Sequence, residues 1–202
     1  MSRKSNTAQR RAQITEGLLQ VVAQKGYAQA TIQAIAGAVG LTPGLIHYHF
    51  KTKQEILTRL MEELFEHAED RYRRRLETAT DAQMRLKAFI DAQLALGEDA
   101  RPEAVRAWVV LSSEAIRSEE VRVLFSEMAK KRLSELERLI SDALKESKKE
   151  TEETSKIALG LLALIEGAYT LSASTQDVLP SGFAAETAWK MAQAMMKKTP
   201  TG

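Results

Sequence analysis

There is no cysteine in the 202 residues of this chain. That absence excludes a disulfide framework, a thiolate nucleophile and every cysteine-based zinc site. Proline occurs four times and glycine ten times, so the chain has few helix breakers and long uninterrupted helices are expected. The sequence also lacks a glycine-rich phosphate loop and a nucleophile elbow. Two of the three histidines, His47 and His49, stand two positions apart; on a helix they face different sides and cannot share a metal. These absences argue against an enzyme, and nothing in the sequence calls for a cofactor or a metal. No apolar core follows the basic N-terminal residues Met1 to Arg11, so a cytoplasmic chain is expected. The longest apolar stretch, Ile157 to Thr175, approaches membrane-spanning length but contains Glu166. Because a carboxylate in mid-membrane is costly, a buried helix of a soluble protein is the expectation, with no membrane as partner.

Hydrophobic residues make up 44% of the chain, enough for a sizeable core, and nearly every apolar segment repeats at three or four residues and not at two. The expected fold class is therefore all-α. A first helix spans Thr7 to Lys25 and stops at Gly26; a second starts at Thr31 and ends at Gly40; a third has Thr42 as N-cap, Pro43 in its first turn and its end near Phe50. Thr52-Lys53-Gln54-Glu55 reads as a capping box opening a long fourth helix. Further helices are expected over Asp81 to Gly97, after Pro102, after Ser118, over Thr154 to Ser174 and over Ser181 to Lys198.

Charge is distributed unevenly. Residues 1–53 carry seven basic side chains against one acid, a net +6, while the remainder carries 22 basic and 26 acidic residues, a net −4. Such a split suggests a polyanion-binding head on a neutral-to-acidic body, with the division placed at 1–53 and 54–202. Within the head, two short helices joined by Gly40-Leu41 have the spacing of a helix-turn-helix whose second helix, Thr42 to Phe50, enters the major groove. Its N-terminus offers free N–H groups to phosphate, Gly44 permits close backbone approach, and His47, Tyr48 and His49 can donate hydrogen bonds without being charged. The plainer alternative for Thr31 and Thr42 is that both are helix caps.

The run from Thr31-Ile-Gln-Ala-Ile-Ala through Val39-Gly-Leu-Thr-Pro-Gly-Leu-Ile-His-Tyr-His-Phe-Lys-Thr-Lys-Gln-Glu-Ile-Leu57 resembles the head of the TetR (tetracycline repressor-like) family. The resemblance implies an N-terminal helix-turn-helix domain followed by a helical ligand-binding and dimerisation domain. It places Thr31, Thr42, Tyr48, His49 and Lys53 at phosphates, and Pro43, Gly44 and His47 against base edges. His47 departs from the tyrosine more frequent there. The segments Ala107-Trp-Val-Val-Leu-Ser-Ser-Glu-Ala115 and Glu120-Val-Arg-Val-Leu-Phe125 resemble the choline-responsive repressor branch of that family.

Two apolar faces are expected on the helix over Gly160 to Ser174. Gly160, Ala163, Leu164, Gly167, Leu171 and Ser174 form a mostly small one, and Leu159, Leu162, Glu166, Tyr169 and Ala173 form the other. The resemblance implies that the first meets a second copy of the chain together with the last helix, which carries Trp189, Met191, Ala192, Met195 and Met196; ordinary packing within one chain is the alternative. Residues that could line an effector cavity are Met61, Phe65, Phe89, Trp108, Ser112, Met128, Glu166 and Tyr169; the alternative for the Met and aromatic side chains is plain core. Glu166 faces either a cationic ligand or a structural arginine. The expected function is a homodimeric, ligand-responsive repressor released from a palindromic operator by an unidentified small molecule. A helical small-molecule-binding or scaffolding protein without operator binding is the rival reading.

Overall fold

A computed structural model of the chain describes residues 3–94, 97, 100–175, 178–180 and 182–197. Among them lie nine helices and no strand: α1 (Arg3–Lys25), α2 (Ile32–Ala38), α3 (Pro43–His49), α4 (Lys53–Leu76), α5 (Ala82–Leu94), α6 (Pro102–Glu114), α7 (Glu119–Glu146), α8 (Thr154–Ser174) and α9 (Phe183–Lys197). The all-α expectation holds. Ser181 and Lys198, the expected bounds of the last helix, lie outside the described residues.

The local stops and starts have identifiable causes. Gly26, at φ +86°, ends α1, and its N–H still reaches the Val22 carbonyl at 3.0 Å. Gly40, at φ +65°, follows α2, and the Leu41 N–H closes back on the Ala36 carbonyl at 2.9 Å. This is the Schellman arrangement, which needs a left-handed residue that glycine adopts without a Cβ clash. Thr31 and Thr42 cap α2 and α3 by accepting from the N–H groups of Ala34 and Leu45. At the head of α4, Thr52 accepts from the Glu55 N–H at 3.1 Å while the Glu55 carboxylate accepts from the Lys51 N–H at 2.9 Å. The reciprocal cap is thus present, shifted by one residue on its return arm.

The chain packs as two compact units. The first comprises Met1–Glu66 and Arg101–Ser126, the second His67–Ala100 and Glu127–Gly202. The division expected after residue 53 is not the one that packing makes. In the first unit α1 packs on α6 as well as on α2 and α3, so helices far along the chain complete the head. Arg101 at the entrance to α6 pairs with Glu16 at 2.7 Å, and the Tyr27 hydroxyl donates to Glu120 at 2.9 Å. Ile14, Leu18, Val22, Ile35, Ile46, Ile56 and Leu57 form the fully buried centre. α1 and α2 approach so closely that a Cβ on Gly17 would stand 2.9 Å from the Ile35 carbonyl oxygen.

In the second unit α5, α8 and α9 pack on one another around a core that also takes Leu136, Leu139, Ile140 and Ala143 from α7. The inward stripe of α8 is Ile157, Ala158, Leu161, Ile165 and Ala168. That differs from the inward face expected from sequence: Leu159 is 53% exposed, and Leu162, Glu166, Tyr169 and Ala173 are half-buried along its flank. An apolar helix hydrophobic almost all round offers no polar side from which to read its rotation.

Candidate nucleic-acid interface

α3 is seven residues long and buries only Ile46 completely; Phe50, its C-cap, is buried with it. Those two side chains anchor the helix, and everything opposite them faces outward. Thr42, Pro43, Gly44, His47 and Tyr48 are exposed, Tyr48 at 72%, and Thr31 at the start of α2 is exposed as well. A Cβ on Gly44 would touch nothing within 4 Å, so the residue leaves an open approach to backbone. The two threonines reconcile their alternative roles. Each side-chain oxygen accepts from its helix, which leaves the hydroxyl hydrogen able to donate to a phosphate.

His49 and Lys53 are less open than the rest. His49 is half-buried, with its ring edge-on to Tyr48 at 5.0 Å between centroids. The Lys53 ammonium lies 4.0 Å over the Tyr27 ring and donates to the Tyr27 carbonyl at 3.3 Å. Burial, and then the hydrogen bond to Glu120, hold the Tyr27 phenol above its ordinary range, so it is protonated at neutral pH and remains a donor.

Sequence reasoning missed the residues that hold these helices. Arg11 on α1 donates to the His49 carbonyl at 2.6 Å, and its guanidinium lies 3.9 Å over the Phe50 ring. Gln13, two residues on, donates to the Val39 carbonyl at 3.0 Å. Thr15 is fully buried and meets Glu63 of α4 at 2.5 Å. Arg11 counted in the sequence only as one more positive charge; no periodicity distinguishes a cation aimed inward from one aimed at solvent.

The eight residues expected around an effector divide between the units. Met61, Phe65, Trp108 and Ser112 belong to the first, where Trp108 stacks at a tilt on Phe125 with 4.7 Å between centroids. Phe89, Met128, Glu166 and Tyr169 belong to the second, where Phe89 meets Tyr72 edge-on at 5.4 Å. Of the two roles open to Glu166, the structure supplies the arginine: Arg132 Nη1 approaches its carboxylate at 2.5 Å. Arg132 is itself buried and stands 5.7 Å from the Tyr169 ring centroid. The Tyr169 hydroxyl lies 3.1 Å from the Gln93 carbonyl oxygen and 3.0 Å from its Oε1, and desolvation raises its pKa. Arg132 was legible by the same signal as Glu166, since it breaks an apolar stripe between Met128 and Leu136.

α8 and α9 leave a second kind of surface uncovered. Leu159, Gly160, Ala163, Gly167 and Leu171 are exposed on α8, and Met191 and Met195 are exposed on α9. Gly160 and Met195 adjoin, 3.9 Å apart for a Cβ at the glycine, whereas a Cβ at Gly167 would meet nothing. By length and composition α8 could cross a membrane, and 28% of its most apolar window is buried within the chain.

Comparison with known proteins covers both regions. Residues 14–60 match the family of bacterial regulatory proteins, tetR family, and residues 82–197 match the BetI-type transcriptional repressor, C-terminal family. The HTH-type transcriptional regulator BetI of Rhizobium meliloti (strain 1021) is 30% identical over 163 residues, 79% of this chain and 76% of that protein. Its namesake in Agrobacterium fabrum is 27% identical over 164 residues, covering 79% and 75%. Among solved structures, a TetR-family transcriptional regulator from Rhodococcus sp. superposes with a TM-score of 0.78 at 21% identity, over 95% of this chain and all of that one. A transcriptional regulator from Saccharomonospora viridis in complex with choline gives 0.74 at 22% identity, over 95% and 97%.

Proposed function

The chain belongs to the TetR family of bacterial transcriptional regulators, with a C-terminal region of the BetI type, and from that premise we propose that it is a homodimeric repressor of a palindromic operator, released by a small cationic effector. The carrying observation is the outward face of α3, where Thr42, Pro43, Gly44, His47 and Tyr48 stand exposed on a helix anchored from behind by Ile46 and Phe50. A short capped helix with polar side chains on its free side suits insertion into the major groove. In this reading Thr31, Thr42, Tyr48, His49 and Lys53 bind phosphates and Pro43, Gly44 and His47 meet base edges. The DNA-reading surface is confined to residues 1–53, with dimerisation and effector binding in 54–202. The protein acts in the cytoplasm and performs no catalysis.

Dimerisation is supported by the exposed apolar face of α8 and α9. A helix this apolar, so little buried by its own chain, gains from a second protein surface, and a two-fold dimer repeats the same face on both sides. Effector chemistry is supported by the choline held in the Saccharomonospora viridis neighbour. In this chain the Glu166 carboxylate is engaged by Arg132, so a cation would draw on aromatic faces or take the guanidinium's place beside Glu166. A ligand binding two states of the body unequally suffices to shift the protein off DNA.

Footprinting on DNA flanking the protein's own gene tests the proposal. Two protected half-sites about one helical turn apart, related by a two-fold axis, are expected. Choline added to the complex should release it. Equal affinity for that DNA and for random duplex would sink operator binding, and release by no cationic ligand would sink the effector class alone.

A further inference from the structure

We infer that Arg11 is the positioning residue that sets the direction of α3 for operator reading, acting through His49 and Phe50 and not through phosphate. The inference rests on the proposal that α3 reads DNA.

A seven-residue helix spans only about 10 Å and cannot hold its own orientation. Its last carbonyls have no partner within the helix and need donors from elsewhere. Arg11 supplies one to His49 at 2.6 Å while its guanidinium covers the buried Phe50 ring at 3.9 Å. One planar group thereby fixes both the end of α3 and the side chain that anchors it. Positive charge at a helix C-terminus also opposes the negative end of the helix dipole. Two residues on, Gln13 donates to Val39, the C-cap of α2. α1 thus grips the C-terminal ends of both helix-turn-helix helices from two positions in the same turn, Arg11 and Gln13. The pitch of α3 relative to α2 follows from α1 as well as from the turn between them.

A phosphate ligand and a positioning residue give different signatures. Loss of a phosphate contact weakens every duplex alike and flattens the dependence of log affinity on log salt. Tilting α3 degrades base contacts and spares charge neutralisation. A general loss of folded protein lowers the active fraction on all DNA together and leaves the ratio between two duplexes alone.

The experiment measures binding of the full-length wild type, Arg11→Met and Arg11→Lys to the footprinted operator and to a random duplex of equal length, over a series of salt concentrations. Arg11→Met keeps an apolar stem over Phe50 and removes charge and donors; Arg11→Lys keeps charge but cannot stack and donate at once. Arg11→Met should lower the operator-to-random ratio about tenfold with an unchanged salt slope, and Arg11→Lys about threefold. A slope reduced by about two units per dimer with the ratio intact would make Arg11 a phosphate ligand and overturn the inference. Wild-type ratios in both variants would also overturn it. Should Arg11→Met not fold, Arg11→Lys decides: a lowered ratio at unchanged slope supports positioning, and a wild-type ratio refutes it. A wild type that prefers neither duplex overturns the DNA reading, and this inference with it.

Discussion

Two exposed surfaces of this chain are opposite in kind. The outer side of α3 is polar, small in area and fixed by buried anchors and by donors from α1. The outer side of α8 and α9 is apolar, made of small residues, leucines and methionines that stand exposed. Each surface suits a different chemistry: hydrogen-bond donors suit phosphates and base edges, whereas close-packing methyl groups and bare glycine backbone suit another helix.

Substituting Gly167 should produce the largest effect. Among the described residues no other atom outside its own helix turn lies within 4 Å of its Cβ position, so Gly167→Leu should fold normally as a subunit and yet force a partner helix away. Operator affinity should fall by about a hundredfold or more through loss of two-site binding. A variant that sediments as a stable dimer would show that the apolar face is not the interface. Glu166→Gln, on the same helix but beside the chain's own core, sharpens the contrast. It removes the charge that faces the buried Arg132 and leaves only an amide oxygen to accept from it, and a loss of about 1–3 kcal/mol in unfolding free energy with dimerisation unchanged is expected. An unshifted melting curve would remove the structural role of that pair.

On the reading surface the expected effects are narrower. His47→Ala should relax discrimination at one base pair of each half-site by about 1–3 kcal/mol; equal loss on operator and random DNA would reassign His47 to phosphate. Lys53→Ala should change least, lowering the salt slope by about two units per dimer with no change in sequence preference. Because the ammonium also rests on Tyr27, a small fall in thermal stability should accompany it, and a sequence-selective loss would contradict the phosphate role.

The contrast also separates what was legible in the sequence from what was not. Caps, glycine turns and the helix-turn-helix are local features, written within a few residues of where they act, and Thr31, Thr42, Gly40 and the Thr52 cap were all readable. Whether α8 turns Leu159 inward or outward depends on helices elsewhere in the chain, and an almost wholly apolar segment records no preference. Arg132, unread in the sequence, at least interrupts a stripe between Met128 and Leu136, but Arg11 leaves no such mark, since its partners are a carbonyl and a ring 38 and 39 positions away. Charge and packing also divide the chain differently: charge changes sign after Lys53, whereas packing groups the distant helix α6 with the first unit.

That α6 completes the first unit has a consequence during synthesis. A ribosome that has just released residue 66 has made every residue of the reading surface, but neither Arg101, which pairs with Glu16, nor Glu120, which receives Tyr27. A further sixty residues, up to Ser126, take on the order of 3–12 s at ordinary elongation rates. During that interval α1 lacks the helix that packs against it, and the side of α1 that faces α6 in the finished chain stands open to solvent.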